Sequence, residues 1–396
     1  MKKISIFGSY NGCSIGDTAI LLGMLSSLER IYGKNIRVDV LVIREVGLVS
    51  ELKQLGNDIH AKEIVVNTFT SKTTPLHKIN KALKKIRIRL FNGTLIDIDK
   101  VNESLSDSDH LFIGGGNLIM DLFSQWPLII QEVCTTAHKL NVSYSFIGVG
   151  AGPINTFEGK EIFKSCLMGA ERVYFRDNCS RDFCKKELKF DGAFLIPDLA
   201  SALCYKPLDS IRKRNIILFN VASLYGNAFP HEYHDSNKLD EYVNAFVSLA
   251  LDIDSKCKFD EVVIFNSNFP ADASGSSKFF ENLKGSGIRE KVRIIKGRSS
   301  VAELMKLGQS ASLAVTTRLH AGIMVALAGC SVVGIAYQPK VKNVLKELGM
   351  SSKFIELDAL IDGEFSVDNI LSAVKGCEIK NHALNVDNIL QDLLEG

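Results

Sequence analysis

Short, almost wholly apolar runs alternate with longer stretches of helical periodicity from one end of the chain to the other. The first-half runs are "ISIFG" (4–8), "RVDVLVI" (37–43), "EIVV" (63–66), "HLFIG" (110–114), "VSYSFIGVG" (142–150), "RVYFR" (172–176) and "FLIP" (194–197). Between them, 17–32, 127–139, 158–169 and 178–187 repeat apolar residues at the helix period. Strands that are apolar on both faces are covered on both, which predicts parallel sheets flanked by helices. The polar, proline-containing "YKPLDSIRKRN" (205–215) interrupts the pattern. It restarts with strands at 216–222, 261–266, 292–297, 313–317 and 331–337, separated by helices at 237–255, 276–285, 300–308 and 320–328. The fold class expected is α/β, with two doubly wound Rossmann-like domains, 1–205 and 212–376, facing a central cleft. The last segment, 380–396, reads as an amphipathic helix packed back on the first domain.

A chain of 396 residues exceeds one ordinary core, which agrees with two domains of about 150 to 200 residues. Apolar content of 46% and charged content of 23% are those of a soluble globular protein. A net charge of +2 argues against nucleic-acid binding, which needs a large basic excess. Nine cysteines without a C-x-x-C pair or a Cys/His cluster point to free thiols in a reducing compartment and to no structural metal. The first apolar run is too short for a signal peptide, and no apolar window reaches a membrane span. These features predict a cytoplasmic protein.

In doubly wound sheets ligands sit beyond the carboxyl ends of the strands, and polar motifs follow the strands here. "GSYNGCSIGDTAI" (8–20) contains Asn11, Gly16 and Asp17; Asp17 or Thr18 is the expected helix cap. Its glycine spacing is not the dinucleotide fingerprint, so no nicotinamide cofactor is expected. "FIGGGNLIMD" (112–121) offers Gly115, Gly116 and Asn117 as an anion nest. "YFRDNCSRDF" (174–183) places Arg176 at the cleft rim, with Asp177 or Asn178 capping the next helix; taken alone, Arg176–Asp177 reads as a solvated ion pair. "VTTRLHAGI" (315–323) sets Thr317, Arg318 and His320 between a strand and a helix. Burying that arginine is expensive without an anionic partner. "GIAYQPKVKNVL" (334–345) adds Tyr337 and Lys340, the lysine close to a helix start that disfavours a cation unless an anion is bound. The assembled cleft suits a small polyanion beside an uncharged polar partner.

One stretch stands apart. "SKTTPLHKINKALKKIRIRL" (71–90) carries seven Lys/Arg, no acid, and an apolar stripe through Leu76, Ile79, Leu83, Ile86 and Leu90. Such a helix, 76–90, suits an anionic membrane surface; packed on a sheet, it would be an ordinary surface helix.

In chain order, the "N…GD" of Asn11, Gly16 and Asp17, then "GGGN", "GVGAGP", "FRDNCS", "PDLA" (197–200), "TRLHAGI" and "GIAYQPKV", resemble the polysaccharide pyruvyl transferase family. The resemblance implies a fold like that of the B-type (GT-B) glycosyltransferases. It also implies transfer of the enolpyruvyl unit of phosphoenolpyruvate to a sugar of a cell-surface polysaccharide or its lipid-linked precursor, closing a pyruvate ketal and releasing phosphate. In the family the Arg and His of the R-L-H element serve donor binding and catalysis; here they are Arg318 and His320. Arg318 and Lys340 would hold the donor's anionic groups, His320 would be the general acid, and Asp17 a base or acceptor holder. No cofactor and no metal is called for. A lipid-linked acceptor would bring the protein to the inner membrane face. The alternative in the same architecture is a nucleotide-sugar glycosyltransferase, for which only Glu347 offers itself as the ribose-binding acid.

Overall fold

The computed structural model describes the chain apart from residues 11, 45–46, 57, 67–93, 204, 206–207, 227–233, 348–353, 375–381 and 396. The basic stretch 76–90 therefore lies outside the described residues, as does Asn11. Among the described residues no helix is long and apolar enough to cross a membrane.

Two all-parallel sheets form the frame. The first contains β1 (Lys2–Phe7), β2 (Ile36–Val42), β3 (His60–Val65), β4 (His110–Gly114), β5 (Tyr144–Val149), β6 (Arg172–Phe175) and β7 (Phe194–Leu195), in the order β3-β2-β1-β4-β5-β6-β7. The second contains β8 (Ile216–Asn220), β9 (Glu261–Ile264), β10 (Val292–Ile294), β11 (Leu313–Thr316), β12 (Ser331–Ala336) and β13 (Phe354–Glu356), ordered β10-β9-β8-β11-β12-β13. Both orders reverse direction once, between β1 and β4 and between β8 and β11. Connections leaving neighbouring strands on opposite faces open a crevice at such a reversal. The two crevices receive 8–10, 12–14 and 115–117 from one sheet, and 317–320 from the other.

The helix Ile15–Tyr32 is apolar on nearly every side because it lies between the two halves. Its residues Ala19, Ile20 and Leu22 share one apolar cluster with Ala321, Ile323 and Met324 of the helix Leu319–Leu327 and with Leu199 and Ala200. The halves are also joined through backbone: Ile15 N–H donates to Ser267 O at 2.8 Å, and Phe269 N–H to Cys13 O at 3.1 Å. A buried Glu51 accepts from Ala302 N–H at the start of the helix Val301–Ser310. The terminal helix Ala383–Glu395 lies on Ile15–Tyr32, with Arg30 Nε 2.8 Å from Asp387 Oδ2.

His110, at the start of β4, is 5% exposed, and its Nε2 lies 3.1 Å from Ser145 Oγ. Burial pushes its pKa down to about 4. Between about pH 6.5 and pH 4 the unfolded chain therefore binds a proton that the folded chain does not, so stability falls as the pH falls through that window. The loss from this group approaches about 3 kcal/mol. In urea titrations at about pH 7 and pH 5, His110→Gln is expected to lose less stability on acidification than the wild type. Equal losses would show that the histidine titrates alike in both states.

Candidate active site

The site is built where the two crevices face each other. The loop after β1 ends in Ser14, whose side chain accepts from Asp17 N–H and caps the helix Ile15–Tyr32. The cap is therefore Ser14, and neither Asp17 nor Thr18 holds that role. This frees the Asp17 carboxylate, which turns toward Ser9, His320 and Arg176. A Cβ on Gly116 would stand 2.7 Å from Asp17 Oδ1, and Gly116 has a φ of +72°, so glycine is required there twice over. Gly115 packs in the same way under the Tyr10 hydroxyl. Asn117 donates Nδ2–H to Gly152 O at 2.8 Å, which ties two loops together. The triple glycine thus makes room for Asp17 and Tyr10, where the sequence suggested an anion nest.

Arg176 and Asp177 are not a solvated pair. They are 6% and 1% exposed. Asp177 caps the helix Asn178–Leu188 through Ser180 N–H at 2.7 Å. The Arg176 guanidinium turns to Asp198, Nη1 to Oδ2 at 3.3 Å, while its Nε is buried without a hydrogen-bond partner. Asp198 follows β7 and opens the short helical turn Leu199–Ala202, accepting Ala200 N–H at 3.1 Å.

From the other domain, Arg318 is the N-cap residue of the helix Leu319–Leu327. Asn220, at the end of β8, receives Arg318 N–H on its side-chain oxygen at 3.0 Å. His320 is thereby carried on the first turn, and its Nε2 lies 3.2 Å from Asp198 Oδ2. This His–Asp pair is made across the two domains. The other ring nitrogen faces the first turn of Ile15–Tyr32, where a Cβ on Gly16 would approach Nδ1 to 2.6 Å. Gly16 is therefore a close-approach position rather than a flexible one.

Arg318 and His320, two residues apart, turn to different partners because the helix starts between them. The Arg318 guanidinium meets Asp272, with Nε at 3.1 Å and Nη2 at 2.7 Å from Oδ1. Asp272 has no exposed surface, and its second oxygen accepts Asn268 N–H at 3.0 Å. The Nε–Nη2 edge is thus occupied by Asp272, and the Arg318 side chain keeps 20% of its surface exposed. Tyr337 and Tyr242 flank this guanidinium. Thr317 has no exposed surface and its hydroxyl lies 2.7 Å from Tyr242 OH, so it supports Arg318 and does not line the cleft. Lys340 lies in the first turn of Pro339–Glu347, but its side chain is outside the described residues.

The two carboxyls beside His320 are driven in opposite directions. Burial would raise Asp198, but His320 and Arg176 overcome it and hold the group well below the usual carboxylate range. Burial raises Asp17, only partly opposed by His320, Arg176 and the Ser9 hydrogen bond, while the Asp198 charge adds to the rise. Such a split separates a permanent anion from a group able to carry a proton. A pocket of about 230 Å³ opens beside Arg176 and Asp198, walled by Pro197, Val344 and Asn385. Among the described residues, no group of three or more His, Cys, Asp or Glu side chains is placed to hold a metal ion.

Sequence reasoning singled out Arg176, Arg318, His320 and Asp17, but not Asp198, Asp272, Asn220 or Ser9. Asp198 had a signal, as a carboxylate directly after a short apolar strand in "PDLA". Asp272 had none, because only the tertiary fold brings 266–272 under Arg318.

Two facing doubly wound domains with the polar cluster between them define a GT-B-type fold. The fold is similar to that of a Listeria monocytogenes protein assigned as UDP-N-acetylglucosamine 2-epimerase, with a TM-score of 0.60, 12% identity, and 99% of this chain and 95% of that one covered. It is also similar to the UDP-GlcNAc 2-epimerase of Methanocaldococcus jannaschii (TM-score 0.57, 14% identity, 100% of both chains) and to that of Neisseria meningitidis bound to UDP-GlcNAc (0.55, 11%, 100% of both). A comparison with curated proteins gave no match. The family model for polysaccharide pyruvyl transferase matches residues 15–339, and the chain belongs to that family.

Proposed function

We propose that the protein moves the enolpyruvyl unit of phosphoenolpyruvate onto a sugar of a cell-surface polysaccharide or its lipid-linked precursor, forming a pyruvate ketal. The observation that carries this reading is the His320–Asp198 pair made across the domains beside Arg176. Asp198 stays ionised and accepts from Nε2 across the two domains. His320, held by that contact, is the acid that gives a proton to the methylene carbon of the donor. That protonation makes C2 electrophilic. A sugar hydroxyl adds to C2, the C2–O bond to phosphate breaks, and the second hydroxyl closes the ketal. Asp17, the carboxyl pushed upward, suits the proton transfers at those hydroxyls. Arg318 and the start of Leu319–Leu327 offer charge-assisted hydrogen bonds to the donor's phosphate or carboxylate, with Lys340 in support. No resident cofactor enters this scheme. A lipid-linked acceptor would place the enzyme in the cytoplasm against the inner membrane face, with 76–90 as the basic contact.

The test is a thermal shift followed by turnover. Phosphoenolpyruvate at about 100 times its Kd is expected to stabilise the fold by about 2.7 kcal/mol, and UDP-GlcNAc is expected to leave Tm unchanged. With lipid-linked oligosaccharide added, inorganic phosphate should be released. Stabilisation by UDP-GlcNAc and not by phosphoenolpyruvate would transfer the chain to nucleotide-sugar chemistry.

A further inference from the structure

Phe157 is 81% exposed and Phe123 67%, the highest values among the described phenylalanines, and Leu122 beside Phe123 is 47% exposed. They do not sit on loose surface. The segments 116–121 and 150–156, which follow β4 and β5, are hydrogen-bonded to each other. Gly150 N–H donates to Gly116 O at 2.8 Å, Ile119 N–H to Gly150 O at 3.1 Å, and Gly152 N–H to Ile119 O at 2.8 Å. Asp121 then closes the pair, accepting Asn155 N–H at 2.8 Å and both the N–H and the hydroxyl of Thr156 at 2.7 Å. Phe123 and Phe157 each lie within two residues of that clamp. The platform begins at Gly116, the residue packed on Asp17, and stands at the carboxyl end of the first sheet, the end that carries the site.

Apolar rings fixed in water on a rigid loop pair mark a contact surface. The residues exposed around them are Ser124, Pro153, Asn155, Thr156 and Glu158. A sugar ring presents an apolar C–H face and a rim of hydroxyls, and matches rings set among amide, hydroxyl and carboxylate groups. The occupant is a glycan because the exposed neighbours are chiefly amide and hydroxyl groups and the chain belongs to a family that acts on polysaccharide. We infer that Phe123 and Phe157 form the stacking subsite for sugar rings of the polysaccharide acceptor, holding the chain so that its reacting sugar reaches Asp17. This rests on the glycan acceptor of the proposed function and not on its donor.

The experiment compares wild type, Phe123→Ala/Phe157→Ala and Phe123→Tyr/Phe157→Tyr on an array of bacterial O-antigen and capsular oligosaccharides without phosphoenolpyruvate. All three should share one Tm, since both rings are exposed. The wild type is expected to bind a subset of glycans, the alanine variant to bind them about tenfold or more weakly, and the tyrosine variant to match the wild type. Equal binding by the alanine variant, loss in the tyrosine variant as well, or no glycan bound by the wild type would each overturn the subsite. So would wild-type flotation with phosphatidylglycerol vesicles that the alanine variant loses, which would make the rings a lipid contact. Because the array holds no donor, glycan binding that depends on the rings in a protein that phosphoenolpyruvate fails to stabilise would keep this subsite and sink only the donor reading.

Discussion

His320→Gln is expected to lower kcat by about a hundredfold or more while leaving Tm and the affinity for phosphoenolpyruvate close to those of the wild type. The glutamine amide reaches the Nε2 position and keeps a donor near Asp198, so the 3.2 Å contact that spans the domains survives in kind. What disappears is the titratable nitrogen beside Gly16. Asp198→Asn attacks the same unit from behind: Arg176, 6% exposed, would lose its closer carboxylate and keep the longer contact to Asp177 Oδ2 at 3.7 Å. Breaking a buried ion pair costs up to about 3 to 5 kcal/mol, and Asp177 offsets part of that, so this variant should lose some stability as well as rate. The two variants together separate proton transfer from scaffolding. Steady-state rates across the pH range, with denaturant titrations on the same samples, decide the matter. Full activity with an unchanged pH profile in His320→Gln would make the histidine a packing residue.

The second large effect concerns Arg318. In Arg318→Ala the fully buried Asp272 loses both guanidinium contacts and keeps only Asn268 N–H and the longer Ser267 hydroxyl contact at 3.4 Å. A drop in folding stability of about 3 to 5 kcal/mol is expected from that alone, so lost activity would not by itself show a donor contact. Arg318→Lys distinguishes the two roles. An ammonium can still neutralise Asp272, restoring much of the stability, but it has no second edge to offer a ligand. Charge-assisted bonds of this kind are worth about 1.5 to 3 kcal/mol each, so the affinity for phosphoenolpyruvate should fall at least about tenfold in a calorimetric titration of the lysine variant. Unchanged affinity would confine Arg318 to holding Asp272.

The order of the elements was legible because it depends on local pattern. Continuous apolar runs such as "HLFIG" have one stable use in a chain of this composition, a strand covered on both faces, and most of the strands of both sheets announce themselves in this way. The short β13 and the helix Leu48–Gln54 were too brief to carry a period. Placing Arg318 and His320 at the start of a helix was likewise a local matter, since "VTTRLHAGI" joins an apolar run to a helical period.

The partners of those residues were decided only by tertiary structure. Asp198 lies 122 positions from His320, and Asp272 lies 46 from Arg318. No spacing rule links groups so far apart, and a carboxylate after a short strand reads the same whether it faces water or a histidine. The Arg176–Asp177 neighbours show the reverse error. Adjacent opposite charges look like surface chemistry, yet the fold buries both and turns the arginine toward Asp198. Sequence alone sets which side chains stand at the carboxyl ends of the strands, because apolar periodicity fixes where strands stop. Which of them share a low-dielectric space, and hence which carboxyl is held low and which is pushed up, depends on how two separately wound sheets face each other. That is a property of non-local packing, and only the assembled cleft contains it.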